Sequence, residues 1–469
     1  MDLARLSSRA REALIAAAGP GGASEDIDLI VPRLTDWRGR TLGTSALLLR
    51  PASREAVQAI VRVCAAEHVA IVPQGGRTGL VGGGLPAMGR AAVLLSTERL
   101  ARIRVVDGDG LTLVAEAGVT LHAVHEAAAA AGRRFPLSLA ARGSATIGGL
   151  VSTNAGGVQV LRHGVMRARV LGLEAVMADG SLLRQLGPLA KDNTGIDIKQ
   201  LLIGAEGTLG IVTAAALALA PVPPGRAVAW AGVASPAAAL ALLAALRTAV
   251  GDAVESFELM PGEAAALVAR TMPGHRDPLP SHAWAVLIEL GGVALMPGLE
   301  AVLGDHADDA VIASSGAQAD ALWAIREAVP EAERRDGSAV KHDIALPVAA
   351  VPGFMGETQA AIAALCVGAR VFAFGHLEDG NLHYNVRAPE GAGTEWLAAN
   401  GAAITTLVHD RVVALGGSIS AEHGIGAFRA DEWVRVGDPA KLAAMRAVKH
   451  ALDPLGIMNP GKLGLRSGL

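Results

Sequence analysis

Two cysteines, Cys64 and Cys366, are all that 469 residues contain, which excludes a disulfide framework. Charge is equally scarce: only 18% of residues carry one, and 41 basic against 45 acidic side chains leave a net −4. Without a basic face to meet phosphates, nucleic acid is excluded as a partner. Long apolar runs are also missing. The longest uncharged stretch, 227–246, is mostly alanine and is interrupted by Ser235 and Pro236. It reads as a strand followed by a helix capped at Ser235, and no transmembrane segment is expected. The opening residues lack a secretory signal, because Arg11 and Glu12 abut a short apolar run. Leu3, Leu6, Ala10, Leu14 and Ile15 instead fall at helical spacing. A bacterial, cytoplasmic protein is the expectation.

The length suggests two to three domains, and the abundant residue is glycine, 57 in all, gathered in blocks. Residues 54–68 carry a helical stripe of Val57, Ile60, Val61 and Cys64, which makes Cys64 a core residue and not a reactive one. Strands are expected at 69–73, 91–96 and 169–178, with a helix at 121–131. The run PVPPG at 221–225 is the best domain break. Beyond it, strand and helix signals resume at 236–250, 283–290 and 319–328, which predicts a second α+β sheet.

The first glycine block, PQGGRTGLVGGG (73–84), directly follows a strand. Closely spaced glycines let backbone N–H groups approach an anion without a Cβ in the way. RGSATIGG (142–149) leads into STNAGG (152–157), and GAEGTLGIVT (204–213) follows an apolar run. None has the G-x-G-x-x-G pattern of a Rossmann unit, and GIMNPGKL (456–463) fails as a phosphate loop because Leu463 stands where Ser or Thr should hold magnesium. These three blocks, in this order, resemble the flavin-binding domain of the vanillyl-alcohol-oxidase-type FAD family. The resemblance implies a two-part flavin-binding domain over 38–217 after an N-terminal helical segment, 1–37. It implies FAD contacts from Pro73, Gly75, Gly76, Arg77, Thr78, Gly79 and Leu80. The second block would add Gly143, Ser144, Thr146, Ile147, Gly148, Gly149, Ser152, Thr153, Asn154 and Gly157. Glu206, Gly207, Gly210, Ile211 and Asn459 would complete the set, with FAD bound non-covalently.

The C-terminal half contains FGHLEDGNLHYNV (374–386), where Asp379-Gly380 is a two-residue hairpin signal. That loop would place His376 directly opposite His383, close enough to share a metal, with Asn385 on the same face. SISAEHGIG (418–426) reads as a strand end followed by a glycine loop. Adjacent strand residues point oppositely, so Glu422 is expected as the third metal ligand and His423 as the base. Two histidines and a carboxylate suit Zn²⁺ and also Fe²⁺. Both motifs resemble the D-2-hydroxyacid dehydrogenases of the same flavin family, those acting on D-2-hydroxyglutarate above all and those on D-lactate next. The resemblance implies zinc on His376, His383 and Glu422. It also implies a substrate carboxylate on Arg326 and Lys341, orientation by Asn385, and an electron-transfer flavoprotein as acceptor. It further implies an α+β substrate- and metal-binding domain with an antiparallel sheet over 218–440, and a segment, 441–469, that returns to the flavin domain. Pro330 and His342 depart from the family pattern near the distal end of the substrate. The expected activity is therefore oxidation of a D-2-hydroxy acid to a 2-oxo acid by hydride transfer to flavin N5. D-lactate or D-malate are alternative substrates, and a non-redox metallohydrolase is the rival class. A homodimer is expected, though no motif bears on it.

Overall fold

The computed structural model describes residues 6–465, so Leu3 of the expected N-terminal stripe lies outside the described residues. The chain divides into two compact units. Unit 1 comprises Met1–Gly157, His163–Val222 and Glu422–Leu469; unit 2 comprises Val158–Arg162 and Pro223–Ala421. These bounds differ from the sequence expectation. The N-terminal helical segment belongs to unit 1, the break falls inside PVPPG at Val222/Pro223, and the return begins at Glu422, ahead of 441.

Unit 1 is built on two sheets. The first contains β1 (Ala23–Ser24), β2 (Leu48–Leu49), β3 (Ala70–Gln74) and β4 (Ala92–Ser96) in the order β1-β2-β4-β3. In it β2 and β3 run parallel to β4. The helix Arg54–Ala66 starts where Ser53 accepts a hydrogen bond from Ala56 N, and it buries Val57, Ile60, Val61 and Cys64. Burial pushes the Cys64 thiol up to about 12, so it is an inert core group. The second sheet joins β5 (Ile103–Asp107), β6 (Thr112–Glu116), β8 (Val170–Met177), β9 (Leu182–Gln185) and β10 (Gly210–Ala218) as β5-β6-β10-β8-β9, antiparallel throughout. A short pair, β7 (Arg133–Arg134) with β11 (Ala220–Pro221), lies beside them in the chain order. Late in the chain, Met458 forms a parallel bridge to Ile71, with Ile71 N donating to Ile457 O and Asn459 N to Ile71 O. The C-terminal segment thus adds to the free edge of β3.

Unit 2 is one seven-stranded antiparallel sheet. Its strands are β12 (Arg226–Val233), β13 (Val254–Pro261), β14 (Trp284–Gly291), β15 (Asp309–Ile312), β16 (Ala339–Ala345), β17 (Arg370–His376) and β18 (Asn381–Arg387), in the order β15-β12-β14-β13-β17-β18-β16. Val286, Ile288 and Leu290 of β14 enter one core, and Ala285 and Leu287 enter another. Both faces are covered, which is why β14 shows no polar alternation. The first core includes Leu242, Leu243 and Leu246 of the helix Pro236–Val250 and Phe354, Met355 and Ile362 of the helix Val351–Leu365. Each such side chain contributes roughly 1.5–3 kcal/mol on burial. Two segments, Pro236–Ala253 and Val348–Leu365, are long and apolar enough to cross a membrane; Leu242, Leu243 and Leu246 of the first and Phe354, Met355 and Ile362 of the second lie in this core. The second core is completed by the helices Glu263–Thr271 and Gly316–Arg335.

Three local expectations are corrected. The helix expected at 319–328, which would have ended ahead of Pro330, runs Gly316–Arg335 with the proline inside. Burial of Val329, Ala332 and Glu333 carries it past the missing N–H. The β17–β18 turn has four residues, Leu377 to Gly380, and pairs Phe374 with His383, so His376 is not directly opposite His383. Gly375 (φ 151°) leaves ordinary strand geometry, and Leu377 N is drawn to Phe257 O, which shortens the ladder. Lastly, 418–426 holds no strand beyond a single bridge, Ser418 to Ala345.

Candidate active site

In unit 1 the glycine blocks converge on a cavity of about 400 Å³. Every expected residue of the first block lines it, Pro73 through Leu80, as do Thr146, Gly148, Gly149, Ser152, Thr153, Glu206, Gly207, Gly210 and Ile211. Two of these glycines differ in what they permit. A Cβ on Gly76 would overlap the Ser144 carbonyl, whereas one on Gly79 would meet nothing within 4 Å and would project into open space. Thr146 Oγ1 and Gln74 Oε1, both in the lining, have no hydrogen-bond partner among the described residues. Open glycine backbone and orphaned polar atoms are what a polar, phosphate-bearing ligand such as FAD requires.

Six expected contacts lie outside this lining. Ser144 supplies the carbonyl beside Gly76 and follows Gly143, while Ile147 is core. Asn154 (φ 50°) ends the helix Ile147–Thr153 and accepts from Arg167 N at 2.9 Å. Gly157 passes close to Ser138 O, and Asn459 donates to Gly83 O at 2.9 Å and to Glu206 O at 2.7 Å. Asn459 therefore ties together two loops that form the wall. Gly82 to Gly84, Leu139 to Ala141 and Val212 also line the cavity, although none was named as an FAD contact. Only the glycines carried a readable signal.

Glu422 and His423, both half-buried, line the same cavity. The strand argument that separated them lapses with the strand. Their loop is held from within unit 1 by Glu206, whose carboxylate accepts Ile425 N and Gly426 N, each at 2.8 Å. Burial pushes the Glu206 carboxyl up to about 7, against the pull of those two N–H groups and of Lys462.

Unit 2 gathers its polar residues on one sheet face. Arg326 is buried with its guanidinium 5.0 Å over the Phe374 ring, and its Nε donates to Glu258 Oε2 at 2.6 Å. The other oxygen of Glu258 pairs with His376 Nδ1. His376 and His383 are diagonal neighbours with ring centroids 6.3 Å apart, and His383 packs on Phe374 at 5.0 Å. Two imidazoles beside buried carboxylates are a donor set that suits Zn²⁺. Lys341 Nζ and Asn385 Nδ2 both donate to Glu333 Oε2, each at 2.8 Å. The structure thus ties the four expected residues Arg326, His376, Lys341 and Asn385 to two carboxylates, Glu258 and Glu333. His342, next along β16 from Lys341, turns to the opposite face, where it contacts Tyr384 O at 2.8 Å.

Neither Glu258 nor Glu333 was found from sequence. Glu333 lies two helical turns after Arg326, and Glu258 is an acid within the apolar run of β13; both patterns are readable signals of buried acids. Burial would raise Glu258, but Arg326 and His376 outweigh it and hold the carboxyl below the usual range. Glu378, fully enclosed nearby, is pushed well above that range by burial and then by the charge of Glu258.

Comparison with known proteins accords with this geometry. Residues 222–463 match the family model for the C-terminal domain of FAD linked oxidases, and 45–185 match an FAD binding domain. The chain is 38% identical over 454 residues to mitochondrial D-2-hydroxyglutarate dehydrogenase of Bos taurus, covering 95% of this chain and 81% of that one. It is also 38% identical to D-2-hydroxyglutarate dehydrogenase of Xanthomonas citri pv. viticola, over 91% of each chain. Among solved structures, p-cresol methylhydroxylase shares the fold with a TM-score of 0.74 at 17% identity, covering 98% of this chain and 96% of that one.

Proposed function

The chain belongs to the FAD-linked oxidases, as an FAD-dependent D-2-hydroxyacid dehydrogenase, and from there we propose that it oxidises D-2-hydroxyglutarate to 2-oxoglutarate with the help of a divalent metal, Zn²⁺ by donor type. One observation carries the redox reading: His423 opens into the glycine-lined cavity of unit 1, a base in the wall of the flavin site. His423 takes the proton of the substrate hydroxyl. Arg326 and Lys341 neutralise the carboxylate, the first as a fork and the second as a point charge, while Asn385 fixes its orientation. His376 and His383 would hold the metal, with Glu422 as the proposed third ligand. FAD held by the glycine-lined cavity would supply the acceptor for the hydride from Cα, and a divalent metal would supply Lewis-acid polarisation of the substrate hydroxyl. An electron-transfer flavoprotein is the proposed acceptor. The departure at Pro330, one turn beyond Arg326, leaves D-lactate and D-malate as the competing substrates.

The test is an anaerobic screen in which flavin bleaching is followed with the D- and L-forms of 2-hydroxyglutarate, malate and lactate. D-2-hydroxyglutarate is expected to bleach fastest, and His423→Ala to slow that step by about 10²–10⁴-fold while retaining FAD. Fastest bleaching by D-lactate or D-malate would reassign the substrate, and an unchanged rate in His423→Ala would remove the base.

A further inference from the structure

Glu258 is a fully buried carboxylate in β13, and it is shared. Its Oε2 accepts Nε of Arg326 at 2.6 Å, and its Oε1 pairs with Nδ1 of His376. Arg326 reaches it from the helix Gly316–Arg335, and His376 from the end of β17, where the ladder puts Glu258 opposite His376. A carboxylate taken out of water is costly unless ionic and hydrogen-bonding partners occupy its lone pairs. Here the two partners are the residues assigned to the substrate carboxylate and to the metal. After Nε is committed, the terminal amino groups of Arg326 make no hydrogen bond among the described residues and remain available to a ligand.

We propose that Glu258 is the positioning residue that sets His376 and Arg326 together. By accepting the Nδ1 proton of His376 it fixes the tautomer that presents Nε2, with its lone pair, to a divalent metal. By holding Nε of Arg326 against the sheet it aims the rest of the guanidinium at an anionic substrate. Glu258 touches neither metal nor substrate; it acts through its two partners. The proposal rests on the metal and carboxylate reading above. Glu333 offers an internal control, because it ties Lys341 and Asn385 but no histidine.

The decisive experiment measures zinc affinity, by competition with a chromogenic chelator, in the FAD-loaded parent and in Glu258→Gln, Glu333→Gln and His383→Ala. Flavin absorbance serves as the check on folding. Glu258→Gln is expected to bind zinc about 10–100-fold more weakly. It should also raise KM for the hydroxy acid. Glu333→Gln should raise KM with zinc affinity unchanged. A merely structural Glu258 would lower Tm and leave zinc affinity and KM at parent values, and that result overturns the proposal. Should Glu258→Gln fail to fold, Glu258→Asp carries the test, since it keeps the charge beside Arg326 but withdraws it by one methylene; parent-like zinc affinity in Glu258→Asp would equally overturn it. If His383→Ala keeps the parent zinc affinity, the metal reading itself has failed, independently of Glu258.

Discussion

The two units present polar groups by opposite means. Unit 1 offers a wall of backbone, where Gly75, Gly76, Gly79 and Gly149 bring amide groups to a surface that no side chain obstructs. Unit 2 offers charged side chains, each pinned by a buried carboxylate: Arg326 by Glu258, Lys341 by Glu333. A backbone site is precise because the chain path is fixed, and it fails when a Cβ is added. A site made of side-chain charges is precise because its counter-charges are fixed, and it fails when one of them is removed. Sensitivity to mutation should therefore be of different kinds in the two units.

The largest effect is expected from removing a counter-charge in unit 2. Arg326→Met leaves Glu258 buried beside His376 without its main partner, and should cost about 3–5 kcal/mol of stability, read as a lower denaturation midpoint. A loss below about 1 kcal/mol, the usual value of an exposed ion pair, would show that unit 2 does not depend on this pair. The glycine pair in unit 1 comes next. Gly76→Val meets the Ser144 carbonyl and should lose about 1–3 kcal/mol of stability even without flavin. Gly79→Val meets nothing, so it should keep the stability of the flavin-free protein and lose FAD affinity instead. Equal behaviour of the two variants in both measurements would break the distinction between framework and cradle.

The smallest effect concerns a buried carboxyl in the cavity wall of unit 1. Glu206 titrates near 7 when folded, against an ordinary 4.5, so the folded protein holds its proton more tightly than the unfolded chain. Stability from this group is complete below about pH 4.5 and declines as pH rises to about 7. The denaturation midpoint of the flavin-free protein should fall across that window, and Glu206→Gln should flatten the fall. An identical slope in the variant would assign the pH dependence elsewhere.

Much of unit 1 could be read from sequence because its information is local. A glycine run after a strand specifies its own geometry, and the stripe of Val57, Ile60, Val61 and Cys64 announces the helix that buries it. Unit 2 was readable in its strands but not in its pairing. The hairpin signal at Asp379-Gly380 was sound as a turn, yet the register depended on Gly375 and on Leu377 reaching Phe257, contacts set by β13 more than a hundred residues earlier. The same distance hid Glu258, since nothing around β13 names Arg326 or His376 as partners. Pro330 misled for a related reason: local propensity argued for a helix end, and burial of the next turn decided otherwise. Local chemistry is legible in a sequence, whereas neutralisation at long range is a property of the folded chain.

The bridge between Met458 and Ile71 has a consequence for the order in which the protein can be made. β3 is an edge strand in its sheet, and the segment that covers it is translated after the whole of unit 2. At about 5–20 residues per second, on the order of tens of seconds separate the emergence of Ile71 from that of Met458. Throughout that interval the nascent chain carries an uncovered strand edge of the sort that invites pairing with neighbours. A ribosome stalled within unit 2 would therefore display the first half of unit 1 with Ile71 N–H unmet, a form suited to capture by chaperones or by another nascent copy, whereas the released chain closes that edge with residues 457–459.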